Sequence, residues 1–359
     1  MSPEAWVIGW DIGGAHLKVA LADTGGRLHR LEEHYTPLWR GLDHLDQALD
    51  QITLNLPVGG ATHRVTMTGE LVDLFDSRSQ GVAELSSRIA GRLPRGSLGI
   101  YAGPLGLVAP EQAAAHCDLI ASANWHATAS LVAQRLSAAL LVDIGSTTTD
   151  LIPIIDGRVR ARGYSDRERL ACQELVYTGV ARTPVMALAQ RVPFAGEWTE
   201  LAAEYFATAA DVYRLTAELP AHADLGETAD GRDKTEAASA GRLARMIGDD
   251  ASRHEPGTWR ALARYLRDGQ LERIGQALAR QCSLDLPDDA PLVGAGVGRF
   301  LVRRLAQRLE RPYFDILTLM AGVDASGSGV DAGDCAPAAA VALLELGRSE
   351  SLRVGSETT

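Results

Sequence analysis

Apolar and polar positions follow the same order in two separate stretches of the chain. VIGWDIGGAHLKVALAD (residues 7–23) reads as a buried strand, a glycine turn and a second strand, and GGRLHRLEEHYTPL (25–38) returns as a third, completing a β-meander. Leu42, Leu45, Leu49 and Ile52 then recur at helical spacing. HRVTMTGEL (63–71) predicts a strand running into a polar turn, LGIYAGPLGLV (98–108) a further buried strand, and ANWHATASLVAQRLSAAL (123–140) a helix packed on the sheet.

The order then starts again. ALLVDIGSTTTDLIPIIDGRVRARGYS (139–165) repeats strand, glycine turn, strand, turn, strand, so the topology reads as duplicated although residue identity between the copies is weak. Two such halves facing each other would form a cleft. Residues 166–286, rich in Ala, Leu, Glu and Arg, read as a mostly helical insertion into the second half. APLVGAGVGRFLVRRLAQRLE (290–310) resumes as a strand, a glycine turn and a helix, YFDILTLM (313–320) as a strand, and CAPAAAVALLELG (335–347) as the closing helix. The expected organisation is a first lobe over 1–139 and a second over 140–165 and 287–347. The insertion occupies 166–286, and 348–359 is a loose polar tail.

Composition narrows the function. A formal charge of -11 argues against general affinity for nucleic acid or an anionic membrane, since phosphate backbones are held by clustered Lys and Arg. A small anion remains compatible, because backbone amides and a metal act locally. No apolar run approaches a membrane span, and the start, with Glu4 and Asp11 among apolar residues and no basic segment, does not read as a secretory signal; a cytoplasmic location is expected. Cys117, Cys172, Cys282 and Cys335 lack C-x-x-C spacing and read as reduced buried thiols, and the nine His show no ligand spacing.

Candidate chemistry gathers on the repeated phrase. In DIGGAHLK (11–18) and DIGSTTTD (143–150), Gly13, Gly14 and Gly145 allow a tight turn whose backbone N–H groups can meet an anion. Asp11 and Asp143, at strand ends, would hold a hydrated divalent cation bridging to it, and Ser146, Thr147, Thr148 and Thr149 add hydroxyl donors. One such turn alone is as readily a plain hairpin. Gly294 and Gly296 in VGAGVG read as part of the same cleft, not as a nicotinamide site, because no early βαβ unit surrounds them. In DGRDKT (230–235), a solvated charged loop is the plain reading; Arg232 and Lys234 gripping phosphate, with Asp233 beside them, is the functional one. Glu70, Asp233 and His16 are candidates for a general base, Glu70 preferred for its place at a strand end.

DIGG, DIGSTTTD, the VGAG turn and the late small-residue helix together resemble the acetate kinase, sugar kinase and actin superfamily, and within it the hydantoinase and oxoprolinase branch. MTGEL, ASANWHA, DIGSTTTDLIPI, YTGVARTPV and DGRDKT are more narrowly similar to the methanofuran-biosynthesis synthases that accompany tetrahydromethanopterin-linked one-carbon metabolism, over residues 6–346. The resemblance implies an α/β fold, a duplicated ribonuclease H-like (actin-like ATPase) two-lobed architecture with a helical insertion in the second half. It implies an alkyl transferase that joins an aminomethylfuran bearing a diphosphate-activated methylene to the phenol oxygen of tyramine or glutamyl-tyramine, releasing pyrophosphate. The implied site has Mg2+ on Asp11 and Asp143, with Lys18, the turn glycines, Ser146, Thr147, Thr148 and Arg232 on the diphosphate, and Glu70, Asp233 and Lys234 as catalytic candidates. ATP is not expected as cofactor, because Ala15 and His16 stand where phosphoryl-transferring relatives carry Thr or Ser. The competing readings are an ATP-dependent kinase or hydantoinase-like enzyme and, in another class, a non-catalytic nucleotide sensor.

Overall fold

A computed structural model describes residues 5–94, 97–322, 329–344 and 346. The predicted tail 348–359 lies outside the described residues. The chain divides into two units: one runs to Leu131 and takes up the chain again from Leu319, the other is Val132–Thr318.

The first meander forms as the alternation requires, with β1 (Trp6–Ile12), β2 (His16–Asp23) and β3 (Arg27–Tyr35) antiparallel. The periodic Leu45, Leu49 and Ile52 build α1 (Asp43–Thr53). β4 (Ala61–Met67) then pairs parallel to β1. After α2 (Arg78–Ala90) comes β5 (Leu98–Tyr101), parallel to β4 and antiparallel to the short β6 (Leu107–Val108). The single strand predicted over 98–108 is thus a pair, split by a turn in which Gly103 and Gly106 take positive φ. α3 (Cys117–Ile120) and α4 (Asn124–Arg135) follow. Ile8, Trp10, Ile12, Leu17, Val19 and Leu21 point to one face of the sheet, where Leu45, Leu49 and Ile52 of α1 and Val82, Leu85 and Ile89 of α2 complete the core.

The second unit repeats the order. β7 (Ala139–Ile144) and β8 (Thr149–Ile155) form a hairpin, to which β9 (Arg158–Val159) and, after α5 (Asp166–Ala171), β10 (Leu175–Val176) add at the β8 edge. The insertion holds a hairpin, β11 (Arg191–Phe194) with β12 (Glu197–Glu200), as well as α6 (Ala209–Leu215), α7 (Glu236–Met246) and the long α8 (Pro256–Cys282). β13 (Leu292–Ala295) pairs parallel to β7, α9 (Arg299–Arg308) follows, and β14 (Tyr313–Asp315) pairs parallel to β13. The first half of α8 packs Trp259, Leu262 and Leu266 into a core belonging to the insertion; its second half packs Leu271, Ile274 and Leu278 with β7, β8 and α9. One helix therefore ties the insertion to the sheet.

In both units the first strand of the meander pairs antiparallel with its successor and parallel with the fourth core strand, and the fifth lies parallel outside that. This is the ribonuclease H-like order, present twice. The closing stretch departs from the expected organisation. β15 (Ala321–Gly322) pairs with β3, and α10 (Ala336–Leu343) packs on β1, β2 and β4, so both belong to the first unit rather than to the second. The reason is fit between small residues: a Cβ at Gly9 would overlap the Ala338 carbonyl, so an Ala-rich helix lies directly on β1. Arg64 on β4 donates to the carbonyls of Val341, Ala342 and Leu344, capping the negative end of α10.

Candidate active site

Both DIG turns are built alike. The Gly13 amide donates to the His16 carbonyl (2.9 Å) and the Gly145 amide to the Thr148 carbonyl (2.9 Å), so these two N–H groups close their own turns instead of facing an anion. Gly14 contributes its carbonyl to the Leu38 amide (3.0 Å). What differs is the row of side chains each turn carries.

In the first unit, register sets Glu33, Lys18, Asp11 and Thr66 side by side across β3, β2, β1 and β4. Directly opposite residues share a face of the sheet, and here α10 covers that face. Lys18 Nζ donates to the Asp334 carbonyl (2.7 Å) and lies 3.5 Å from Glu33 Oε1. Its charge is thus held by the Glu33 carboxylate and a backbone carbonyl, not presented to phosphate. Burial alone would lower the Lys18 pKa; Glu33, Cys335, Asp11 and Asp334 together outweigh it and raise it. Asp11 is 6% exposed, and its Oδ1 accepts no hydrogen bond; Thr66 Oγ1 and Glu33 Oε2 are likewise buried without one. Leaving one such group unsatisfied costs about 1–3 kcal/mol. Burial pushes the Asp11 carboxyl up to about 6, against the pull of Lys18 and with a further push from Glu33.

Glu70 lies in the turn after β4. It is 1% exposed, with Oε1 accepting from Ser122 Oγ (2.9 Å), so the MTGEL and ASANWHA segments meet at this bond. Gly81 exists to admit it, since a Cβ there would stand 2.5 Å from the Glu70 carbonyl oxygen. The contact gives Glu70 a bracing role in its own unit.

In the second unit, Asp143 stands opposite Asp150 on β8 and beside Ala295 on β13. Asp150 is the counterpart of Lys18, so the same register position carries opposite charge in the two units. It is paired with buried Arg169 (2.5 Å); its carboxyl is raised by burial, which Arg169 partly offsets. The segment YTGVARTPV clamps the turn: the Val180 amide donates to the Gly145 carbonyl (3.1 Å), and the Ala181 and Arg182 amides donate to the Ser146 carbonyl (3.1 and 2.8 Å). Gly179 is required for this approach, since a Cβ would come within 2.5 Å of Ser146 and Thr147 backbone atoms. Gln270 of α8 holds the clamp from behind, donating to Thr178 Oγ1 (2.7 Å) and the Gly179 carbonyl (2.9 Å) while accepting from Tyr213 (2.6 Å).

The VGAGVG glycines make room for protein. A Cβ at Gly294 would strike the Tyr313 ring, and one at Gly296, where φ is +76°, would overlap Asp143 and Ile144. The Gly298 amide donates to the Ile144 carbonyl (2.8 Å). Three motifs thus converge on residues 143–148, leaving Ser146 and Thr147 half-buried with their hydroxyls 3.4 Å apart; Thr149 instead donates to the Thr178 carbonyl (2.8 Å). Asp143 with these hydroxyls fits Mg2+, which takes one or two carboxylates and completes its shell from water and phosphate oxygens. Among the described residues no group of three or more His, Cys, Asp or Glu gathers as a metal site.

DGRDKT caps α7 through Thr235, whose Oγ1 accepts from the Ala238 amide (3.1 Å). The member that turns inward is Asp230, bonded to fully buried Arg242 (3.0 Å), which in turn binds Asp211 (2.7 Å). Arg232 is 70% exposed, whereas Lys234 donates to the Asp224 carbonyl (2.5 Å) and Asp233 lends its carbonyl to Arg242. Both members of the phosphate-gripping pair are exposed, Arg232 more than Lys234, and both are ion-paired, Arg232 with Asp230 (3.8 Å) and Lys234 with Asp224 (3.7 Å). Asp11 and Lys18 share a site with Glu33, Thr66 and Asp334; Asp143, Ser146 and Thr147 share one with Gly179 and Gly296.

Residues 61–330 match the hydantoinase/oxoprolinase family, and the chain belongs to that family. Over 245 residues, 67% of this chain and 71% of the relative, it is 33% identical to the (4-{4-(2-(gamma-L-glutamylamino)ethyl)phenoxymethyl}furan-2-yl)methanamine synthase of Methanocaldococcus jannaschii. It is 35% identical to the synthase of the same name from Methanococcus vannielii over 123 residues, 34% of this chain and 55% of that protein. Among solved structures it is similar to component A of (R)-2-hydroxyglutaryl-CoA dehydratase from Acidaminococcus fermentans, at 8% identity and a TM-score of 0.45, covering 95% of this chain and 97% of that one. No helix among the described residues is long and apolar enough to cross a membrane.

Proposed function

We propose that this protein is a synthase of methanofuran biosynthesis. It joins a furan carrying an aminomethyl group and a diphosphate-activated methylene to the phenol oxygen of tyramine or glutamyl-tyramine. The observation that carries the reading is the 33% identity, over two thirds of the chain, to a synthase whose named product is a phenoxymethyl furan.

In this reaction the methylene–oxygen bond to diphosphate breaks, with the electron pair leaving on pyrophosphate, and a bond forms to the phenol oxygen as its proton departs. The furan ring delocalises the developing positive charge, so the protein has to stabilise the leaving group and exclude water. The clamped turn 143–148 suits that role, because Ser146 and Thr147 donate to phosphate oxygens from a backbone that Gly179 and Gly296 keep rigid. Mg2+ held by Asp143 would neutralise pyrophosphate charge when bound. Arg232 adds a cation from the DGRDKT loop.

The same hydroxyl turn also supports a second reading, an ATP-using enzyme of the hydantoinase type. The two separate on incubating the protein with the furan diphosphate, Mg2+ and either tyramine or glutamyl-tyramine, with and without ATP, followed by mass analysis. Ether with stoichiometric pyrophosphate supports the synthase. ATP hydrolysis without ether, or pyrophosphate release without ether, overturns it.

A further inference from the structure

We infer that the buried row Asp11–Thr66 in the first unit, backed by Glu33, is a binding site for a primary ammonium group of a substrate. The inference rests on the ether-synthase reading and names a subsite for it.

Three features of the row point to a cationic donor. Asp11 Oδ1, Thr66 Oγ1 and Glu33 Oε2 are all buried, and none has a hydrogen-bond partner. Asp11 and Thr66 are register neighbours on adjacent strands, so one small group can reach both. Asp11 and Glu33 flank a single ammonium, that of Lys18, whose bonds run to Glu33 and the Asp334 carbonyl, with His16 Nδ1 3.9 Å from Glu33. The row therefore has unused acceptors and an excess of negative charge.

The chemistry of these acceptor atoms selects among ligands. An anion would meet acceptors of its own kind and is repelled. A divalent cation would place two positive charges beside the Lys18 ammonium, twice the repulsion that a monovalent group meets. A primary ammonium carries one charge and three donors, of which Asp11 Oδ1 and Thr66 Oγ1 can take two, with the Glu33 charge behind them. Both proposed substrates bring such a group: the aminomethyl on the furan and, on the phenol, the side-chain amine of tyramine or the glutamyl α-amino group of glutamyl-tyramine, whose side-chain nitrogen is an amide.

The test measures binding, not turnover. Furfurylamine against methylfuran, and tyramine against ethylphenol, are titrated calorimetrically into the wild-type full chain, Asp11→Asn and Thr66→Val. The inference expects one amine to bind the wild type at least about ten-fold more tightly than its amine-free counterpart, and the pair showing it identifies the source. Asp11→Asn removes that preference and Thr66→Val weakens it. Should Asp11→Asn fail to fold, Thr66→Val decides alone. Equal binding of amine and counterpart to the wild type overturns the inference. So does a preference unchanged in both variants, or loss of Mg2+ binding in Asp11→Asn with amine binding intact. Amine preference without ether synthesis would sink the proposed reaction and leave this site standing; ether synthesis without amine preference would do the reverse.

Discussion

Asp11 and Lys18 stand directly opposite each other on β1 and β2, yet Lys18 turns its ammonium to Glu33 and to the Asp334 carbonyl, 3.5 and 2.7 Å away. The carboxylate that begins the first DIG phrase is thus buried beside a cation committed elsewhere. Lys18 offsets only part of the cost of burying that carboxylate, an arrangement found at residues kept for a ligand.

The cost has a pH signature in the unliganded protein. The Asp11 pKa is raised from 3.8 to about 6 in the folded state, so between those values the native protein holds a proton that the unfolded chain releases. Stability from this site therefore falls as pH rises from 3.8 towards 6 and stays low above it. Asp11→Asn removes the penalty and should be more stable than wild type at pH 7.5 by about 1–3 kcal/mol, the gap closing near pH 4. Urea melts at the two pH values check this; a variant less stable than wild type at pH 7.5 would contradict it.

His63 gives the opposite slope. It is buried between Trp10, whose Nε1 donates to His63 Nδ1 (3.1 Å), and the Val58 carbonyl (3.0 Å), so the neutral ring is the form that fits. Burial lowers its pKa, although the Val58 bond opposes the shift. Its contribution is complete above the unfolded value of 6.5 and is lost as pH falls below it, because the unfolded chain then takes the proton first. Ring NMR of His63 should show it still neutral somewhat below pH 6.5; a ring titrating at or above that value refutes the assignment.

Gly179→Ala should displace the 145–148 turn. The added methyl meets backbone atoms 2.5 Å away, which cannot swing aside as a side chain end would. A loss of about 1–3 kcal/mol is expected, with pyrophosphate affinity in the presence of Mg2+ falling at least about ten-fold. Gly241→Ala, inside α7 with nothing near its Cβ, serves as the control and should leave pyrophosphate binding unchanged while raising stability by about 0.5–1 kcal/mol through helix propensity. Equal pyrophosphate binding by wild type and Gly179→Ala would show the clamp to be irrelevant to the anion.

Two arginines around DGRDKT should separate stability from function. Arg242 is fully buried between Asp211 and Asp230, and Arg242→Ala takes the buried partner from both, leaving Asp211 to Arg214 and Asp230 to the exposed Arg232 and Arg245; a loss of about 3 kcal/mol, the low end for a broken buried pair, is expected. Arg232 is 70% exposed, so Arg232→Ala should change stability by no more than about 0.5 kcal/mol while lowering turnover of the furan diphosphate. If Arg232→Ala turns over normally, the loop does not touch the diphosphate.

Much of the candidate site was legible because its signals are local. The repeated Asp-Ile-Gly phrase marks two turns whose internal bonds match atom for atom, and YTGVARTPV proved to be the segment that locks the second. Glu33, Thr66 and Asp334 carried no such signal. Each joins the row only through pairing of β3 or β4 with the meander, or through the return of α10, and a register shift between Leu21 and Ala22 changes which β3 residues face β2 at that end. Asp230 shows the same limit at short range: a loop carboxylate is drawn onto Arg242 of the following helix, while Arg232, its 3.8 Å ion-pair partner in the loop, stays largely exposed.

By itself the amino-acid order determined the two meanders, the glycine turns, the helical spacing of α1 and the duplication, since strand alternation and helical period are written in neighbouring residues, while the ribonuclease H-like class followed from the resemblance of its motifs. Tertiary structure alone decided that the chain beyond Leu319 rejoins the first unit, that the VGAGVG glycines yield space to Tyr313 and Asp143, and that Lys18 answers to Glu33 instead of to phosphate. These outcomes depend on which surfaces meet, and small side chains at Gly9 and along α10 encode a close approach without naming the partner.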